Sequence, residues 1–199
     1  MLMLRGRLSK PAETAVCGLL RRSDYLENQQ FPAIHKIVLE FSGRTLEEEL
    51  NSNPLAVFET DAQGRTALGW AAARGDERST SILLSRGAKP NAMDRHGITP
   101  IYLAANEGRT VCARLLLEFG AIPDPVSPPG VPSRSSPLLC AAMSTMPVLT
   151  TKVLLGFKAN LEARSPDGET PLCAVARVNT FLWRTTQISM PSPMTAKHH

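Results

Sequence analysis

"DRHGITPIYLAANEG", residues Asp94–Gly108, gathers an aspartate, a histidine, a threonine, a tyrosine and a glutamate into one short stretch. These are residue types of catalytic sites, but the arrangement recurs. "DAQGRTALGWAAARGD" (Asp61–Asp76) lies over "DRHGITPIYLAANEGR" (Asp94–Arg109) without a gap. Thr66 to Thr99, Gly64 to Gly97 and Gly87 to Gly120 are each 33 residues apart. "SSPLLCAAMS" (Ser135–Ser144) and "GETPLCAVAR" (Gly168–Arg177) repeat the same core, and "ILLSRGAKPN", "LLLEFGAIPD" and "VLLGFKANLE" follow at matching places. A catalytic constellation is needed once, whereas a structural unit is needed many times. Asp94 and Thr99 therefore read as architecture.

Each unit has a physical order. Thr66, Thr99, Ser136 and Thr170 stand before a short small-residue helix, where a hydroxyl caps free backbone N–H groups. Proline at the next position suits the first helical turn. Paired alanines (Ala71–Ala72, Ala104–Ala105, Ala141–Ala142) keep that helix thin, so neighbouring units approach closely. Gly75 and Gly108 turn the chain into a second, leucine-rich helix, which Gly87 and Gly120 end in the left-handed conformation. One helix pair leaves an apolar face uncovered and must stack on its neighbours.

This pattern resembles the ankyrin repeat, D-x-x-G-x-T-P-L-H-x-A-A, a turn glycine, then L-L-L-x-x-G-A-x-x-N. The resemblance implies an all-α ankyrin-repeat solenoid of stacked helix-turn-helix units joined by short hairpin-like turns. The units are expected at about 61–93, 94–126, 134–164 and, partially, 165–177. A divergent N-capping repeat over 31–60 has Ile34–His35 in the L-H slot and Leu46–Leu50 in a second helix. Residues 1–30 read as a poorly ordered arm. Their basic start is similar to a mitochondrial presequence, and without a continuous apolar stretch or a small-residue cleavage site it does not read as a secretory signal.

Departures from the pattern carry information. Gly120 to Lys158 is 38 residues, and the excess sits in a proline-rich segment, 122–135, which proline keeps from helix. It reads as a stiff finger. Lys158 stands in a helix-ending glycine slot, and Gly69 and Leu139 stand where the family has histidine. The third repeat is expected to be the weakest internal link.

Nothing in the pattern calls for catalysis. There is no G-x-S-x-G, Walker loop, H-E-x-x-H or kinase set. His35 and His96 fall about two repeats apart, too far to share a metal. Cys17, Cys112, Cys140 and Cys173 show no C-x-x-C pair and read as buried thiols of a reducing compartment. The Glu47–Glu49 run reads as a solvated face. The net charge is +4, but residues 1–30 hold five basic and three acidic residues, and 177–199 hold three basic and none acidic. The body between them is nearly neutral, with 14 basic and 15 acidic residues of the 22 and 18 in the chain. That disfavours phosphate binding.

The expectation is a non-catalytic, monomeric protein of the cytoplasm or nucleus with no cofactor, no metal, no nucleic acid and no membrane attachment. By resemblance, it binds a partner protein through its hairpin tips and the concave face of its first helices. The alternative is the ankyrin fragment of a larger transcription factor or multidomain enzyme. Positions without a structural duty in the pattern are the candidate partner-binding residues: Arg65, Arg74, Arg95, His96, Ile98, Tyr102, Asn106 and Glu107. Their arginines suggest an acidic partner segment.

The fourth unit begins well, yet no leucine-rich helix follows. The tail, 178–199, has "FLWRTTQISMPSPMTAKHH" instead and is expected to lack order, leaving Leu172 and Val175 poorly covered. Shifting the reading frame from Gln187 onward permits "ANINAISNDGKTP", an ankyrin hairpin and repeat start. The methionine codons force its second alanine and its aspartate. The tail is thus expected to be an out-of-frame product, with the frame change near Asn179–Trp183. Transcript sequencing should reveal an ankyrin-coding frame beside it. An uninterrupted frame through His199 without that alternative contradicts the reading.

Overall fold

The computed structural model describes residues 31–131, 135–144, 147–173 and 176. The expected arm over 1–30, the tail over 178–199, Cys17 and Val175 lie outside the described residues. Helix pairs follow one another along the chain: α1 (Ala33–Val38) with α2 (Leu46–Ser52), α3 (Ala67–Arg74) with α4 (Glu77–Ser85), α5 (Pro100–Asn106) with α6 (Thr110–Glu118), and α7 (Pro137–Met143) with α8 (Pro147–Gly156). A 3-10 turn, Pro54–Phe58, leads from the first pair toward the second. First helices pack on first helices and second on second, so each unit touches its neighbours.

The caps fall where the hydroxyls stand. The Oγ1 of Thr66 accepts the Gly69 N–H at 3.2 Å, that of Thr99 the Tyr102 N–H at 3.4 Å, and the Oγ of Ser136 the Leu139 N–H at 3.2 Å. In the divergent first unit the acidic run does more than face water. Glu48 closes a reciprocal capping box with Thr45, and Glu49 is buried beside Arg44 at 3.4 Å. The solvated-face reading of Glu47–Glu49 is corrected for Glu49, which is buried, while Glu48 stays exposed.

The core is a continuous ribbon from Phe31 to Ala159. Ala71, Ala104, Ala105 and Ala141 are all fully buried, as thin stacked first helices require. Arg109 lies against Gly75, whose φ is +78°. A Cβ added to Gly75 would stand 2.7 Å from Arg109 Cδ, so the conformation favours glycine and a side chain there would push the Arg109 stem aside.

The proline-rich segment has no helix over its described residues, but it does not stand out as a finger. It folds back on the preceding hairpin: a Cβ on Gly97 would meet Pro128 Cδ at 3.2 Å and Val131 Cγ1 at 3.3 Å. At its start, Asp124 Oδ2 accepts the Asn160 N–H at 2.7 Å. The extra length is spent tying three successive turns together. Residues 132–134 lie outside the described part.

Coverage falls off toward the C-terminal end. Leu84 and Leu117 are 4% and 5% exposed, while Leu155 in the same slot is 37% exposed. Leu68, Ile101 and Leu138 are exposed by 1% or less, while Leu172 is 77% exposed. Cys173 is exposed as well, which corrects its reading as a core thiol. No described unit stacks on it, whereas Cys112 and Cys140 are buried and free.

Among the described residues, two non-glycine residues occupy the left-handed region, Glu40 at φ +63° and Lys158 at φ +65°. Glu40 offsets that strain with an ion pair to Arg74 at 2.7 Å. Lys158 is exposed, in the slot of Gly87 and Gly120. Left-handed backbone costs a side-chain-bearing residue about 1–2 kcal/mol. Glycine returns part of that through its freer unfolded chain, about 0.4–1 kcal/mol. Lys158→Gly should therefore stabilise the protein by about 0.5–1 kcal/mol, raising Tm by about 1–4 °C. Thermal denaturation followed by circular dichroism checks this, and an unchanged or lower Tm contradicts it.

Candidate functional site

The hairpin turns are organised by buried carboxylates. Asp61 Oδ1 accepts the N–H groups of Gln63 and Arg65 at 2.8 and 2.9 Å, and Asp94 Oδ1 accepts those of His96 and Ile98 at the same distances. Each aspartate thereby fixes its own turn. The second oxygen differs between units. Asp61 Oδ2 accepts the indole N–H of Trp70 at 2.9 Å, and Asp94 Oδ2 accepts Arg65 Nε and Nη2, both at 3.3 Å.

Arg65 is therefore not free of structural duty. Its guanidinium reaches the Asp94 carboxylate of the next hairpin and lies 5.0 Å from the centre of the Trp70 ring. Its backbone N–H and carbonyl also close its own turn against Asp61. Arg74 is corrected in the same way. It donates to the carbonyl of Val38 and pairs with Glu40, and only 8% of its side chain is exposed. Two of the three arginines of the expected basic cluster thus hold adjacent units together. A desolvated carboxylate or carbonyl binds a guanidinium more strongly than solvent-exposed groups do.

The second unit looks outward instead. Arg95 and His96 are exposed at the hairpin tip, and Ile98 is half-buried behind them. On α5, Tyr102, Leu103 and Glu107 are half-buried and Asn106 is exposed. Asn106 Nδ2 donates to Glu107 Oε1 at 3.0 Å. The backbone N–H of Arg95 donates to the Gln63 carbonyl at 2.9 Å, which ties the two hairpin tips together. Leu103 packs where Gly69 leaves room, 3.5 Å from the place a Cβ would occupy. Arg95, His96, Ile98, Tyr102, Asn106 and Glu107 thus belong to one turn and the helix after it, while Arg65 and Arg74 belong to the joints.

His35 is fully buried, as a structural histidine should be. Its Nε2 lies 2.9 Å from the carbonyl oxygen of Arg65. A carbonyl only accepts, so Nε2 carries the proton. Nδ1 has no hydrogen-bond partner among the described residues. Burial lowers the His35 pKa below the usual histidine value. The bond to Arg65 and the charges of Asp61 and Glu59 oppose that shift without reversing it. Burial also pushes the Cys112 thiol up, against the bond it accepts from Thr80 Oγ1 at 3.6 Å. Among the described residues, no group of three or more His, Cys, Asp or Glu is placed to hold a metal ion, and no helix is long and apolar enough to cross a membrane.

Stacked helix pairs, capped first helices and carboxylate-fixed turns are joined by a family match. The profile of ankyrin repeats in three copies matches residues 33–128 and 68–147, more than half of the chain. This chain belongs to the ankyrin-repeat family. It is 38% identical over 72 residues to a transient receptor potential cation channel subfamily A member 1 homologue of Caenorhabditis elegans, covering 36% of this chain and 6% of the channel. It is 39% identical over 70 residues to inversin of Danio rerio, covering 34% and 7%. The longest of these matches, 30% identical over 140 residues, is to the tyrosine-protein kinase HTK16 of Hydra vulgaris, covering 69% of this chain and 18% of the kinase. The matched segments thus span less than a fifth of these relatives. Ankyrin repeats are non-catalytic modules that generally bind proteins.

The His35 linkage gives a pH dependence with a definite sign. A folded-state pKa below the unfolded value means that the unfolded chain binds more protons as pH falls. The stabilisation from neutral His35 is complete above about pH 6.5, the unfolded value, and is lost as pH drops below it toward the folded pKa. Denaturant midpoints measured from pH 7.5 to pH 5 should fall more steeply for wild type than for His35→Gln. Equal slopes contradict this account of His35.

Proposed function

We propose that this chain is a protein-binding module whose contact surface centres on the second hairpin and α5. The carrying observation is that Arg95 and His96 are exposed at a rigid tip, beside the half-buried Ile98 and Tyr102, while Arg65 and Arg74 are spent inside the array. A rigid surface orders little on binding, so less of the contact energy is lost to entropy. The partner is a protein segment that sets an apolar side chain against Ile98 and Tyr102 and an acidic group against Arg95. The acidic preference rests on Arg95, since two of the three guanidiniums already have carboxylate partners. The proposed setting is the cytoplasm or nucleus, and the proposed mode is binding without catalysis.

A second reading has its own support. The relatives named above are much longer than the matched segment, and one is a kinase. The same surface would then serve as the recognition part of a larger regulatory protein.

Joint and contact residues separate experimentally. Partners captured from cell extract by wild type should be retained about tenfold less by Arg95→Ala/Tyr102→Ala, the loss typical of central contact residues. That double variant should melt with wild type to within about 1 kcal/mol in stability. Arg65→Ala, in contrast, should destabilise the fold by on the order of 2 kcal/mol, the usual worth of a hydrogen bond to a charged group. Unchanged capture by the double variant removes this surface from consideration.

A further inference from the structure

We infer that Ser127 is a phosphorylation site, and that its phosphate is held by Arg164 across the cleft between the proline-rich segment and the next hairpin. The sequence contains four serine-proline and two threonine-proline steps, at Ser127, Ser136, Ser165, Ser192, Thr99 and Thr170. A hydroxyl followed by proline is the acceptor chemistry of proline-directed kinases, and the structure separates these candidates.

Four of them are committed to the fold. Thr99 is buried and caps α5. Ser136 caps α7 with its oxygen. Ser165 is 8% exposed, and its Oγ accepts the Glu169 N–H at 3.0 Å in the slot where Asp61 and Asp94 fix the earlier turns. The Oγ1 of Thr170 accepts the Cys173 N–H and donates to the Cys173 thiol. Ser192 lies outside the described residues. Ser127 differs from all of these. It is partly exposed on irregular backbone, and its hydroxyl carries no such duty among the described residues. Its neighbours Val126 and Pro129 are exposed. Pro125 and Pro128 hold this stretch extended, the shape a kinase cleft accepts, without melting any helix.

The surroundings of Ser127 suit a phosphate. Asp124, Pro125, Val126, Ser127, Ser136, Pro137, Ala163 and Arg164 line one cleft of about 230 Å3. Arg164 is exposed there. Asp124 already spends one oxygen on the Asn160 N–H, and its charge repels a phosphate toward the Arg164 side. In the transfer, the terminal phosphoryl group of ATP passes to Ser127 Oγ. A new O–P bond forms, the bond to the β-bridging oxygen breaks, ADP leaves, and a base on the kinase takes the hydroxyl proton. The product carries about −1.5 to −2 charge and three strong acceptor oxygens, which guanidinium binds well. That pairing adds a second tie beside the Asp124–Asn160 bond, at the junction where stacking coverage declines.

The full chain, as Ser192→Ala, is treated with ATP and a proline-directed serine/threonine kinase, and sites are located by mass spectrometry. Phosphate should enter Ser127 at least about tenfold faster than the four committed positions, which react only after local opening. Ser127→Ala should remove most incorporation. Faster labelling at Ser136, Ser165, Thr99 or Thr170, or none at Ser127, overturns the site. Hydrogen exchange at the amides of 160–163 should then slow by about tenfold on phosphorylation, and Arg164→Ala should abolish the slowing. Labelled protein whose exchange is unchanged, or changed equally in Arg164→Ala, overturns the clamp.

Discussion

A helix can approach its neighbour only as closely as its side chains permit, and alanine at the first-helix contacts sets that distance here. Ala71, Ala104, Ala105 and Ala141 have no exposed surface, so one unit's first helix forms the wall against which the next is built. Every other feature depends on that close approach. It brings the Arg65 guanidinium to the Asp94 carboxylate, the Arg109 stem to Gly75, and the Thr110 hydroxyl to within 2.8 Å of Thr150. A bulkier residue in the wall would separate these joints and weaken several at once.

The joints differ in what fastens them. The first interface is fastened by the His35–Arg65 bond, the Arg74 contacts to Val38 and Glu40, and the edge-to-face contact of Phe31 with Trp70. The second has Arg65–Asp94, a backbone bond between hairpins, Arg109 Nε donating to the Ala73 carbonyl, and Asn91 bonded to both Gly120 and Ile122. The third relies on the returning proline-rich segment and on paired threonines. In an array where contacts reach only neighbours, stability follows such local differences. The surface pair Arg78–Glu47 adds little to the first joint, because both groups are solvated.

Period, caps and buried leucines were legible because each is written locally, in a hydroxyl, a glycine or a run of leucines. The left-handed backbone at Lys158 was legible for the same reason, through its slot. What joins units was not. Arg65 occupies a position that the repeat leaves variable, and only the three-dimensional stack shows the carboxylate 29 residues away that claims it. Arg74 misled in the same way. The course of the proline-rich segment was half legible: proline excludes helix, but proline spacing does not say that Pro128 and Val131 return to Gly97. Glu49 read as solvated because its sequence alone does not say which face of that helix the divergent first unit turns inward.

The glycine slots differ in what surrounds them, and that difference bears on how such a chain drifts. At Gly87 and Gly120 an added side chain would meet nothing within 4 Å, so replacement carries only the backbone cost. Lys158 already occupies the corresponding place in the third unit. At Gly75 the stem of Arg109 fills the space, and an asparagine that tolerates the backbone would also have to displace it. Mutation can therefore wander at the outer turns one residue at a time. At this inner turn a replacement must also move the Arg109 side chain and its bond to the Ala73 carbonyl, so it carries a cost that the outer turns do not.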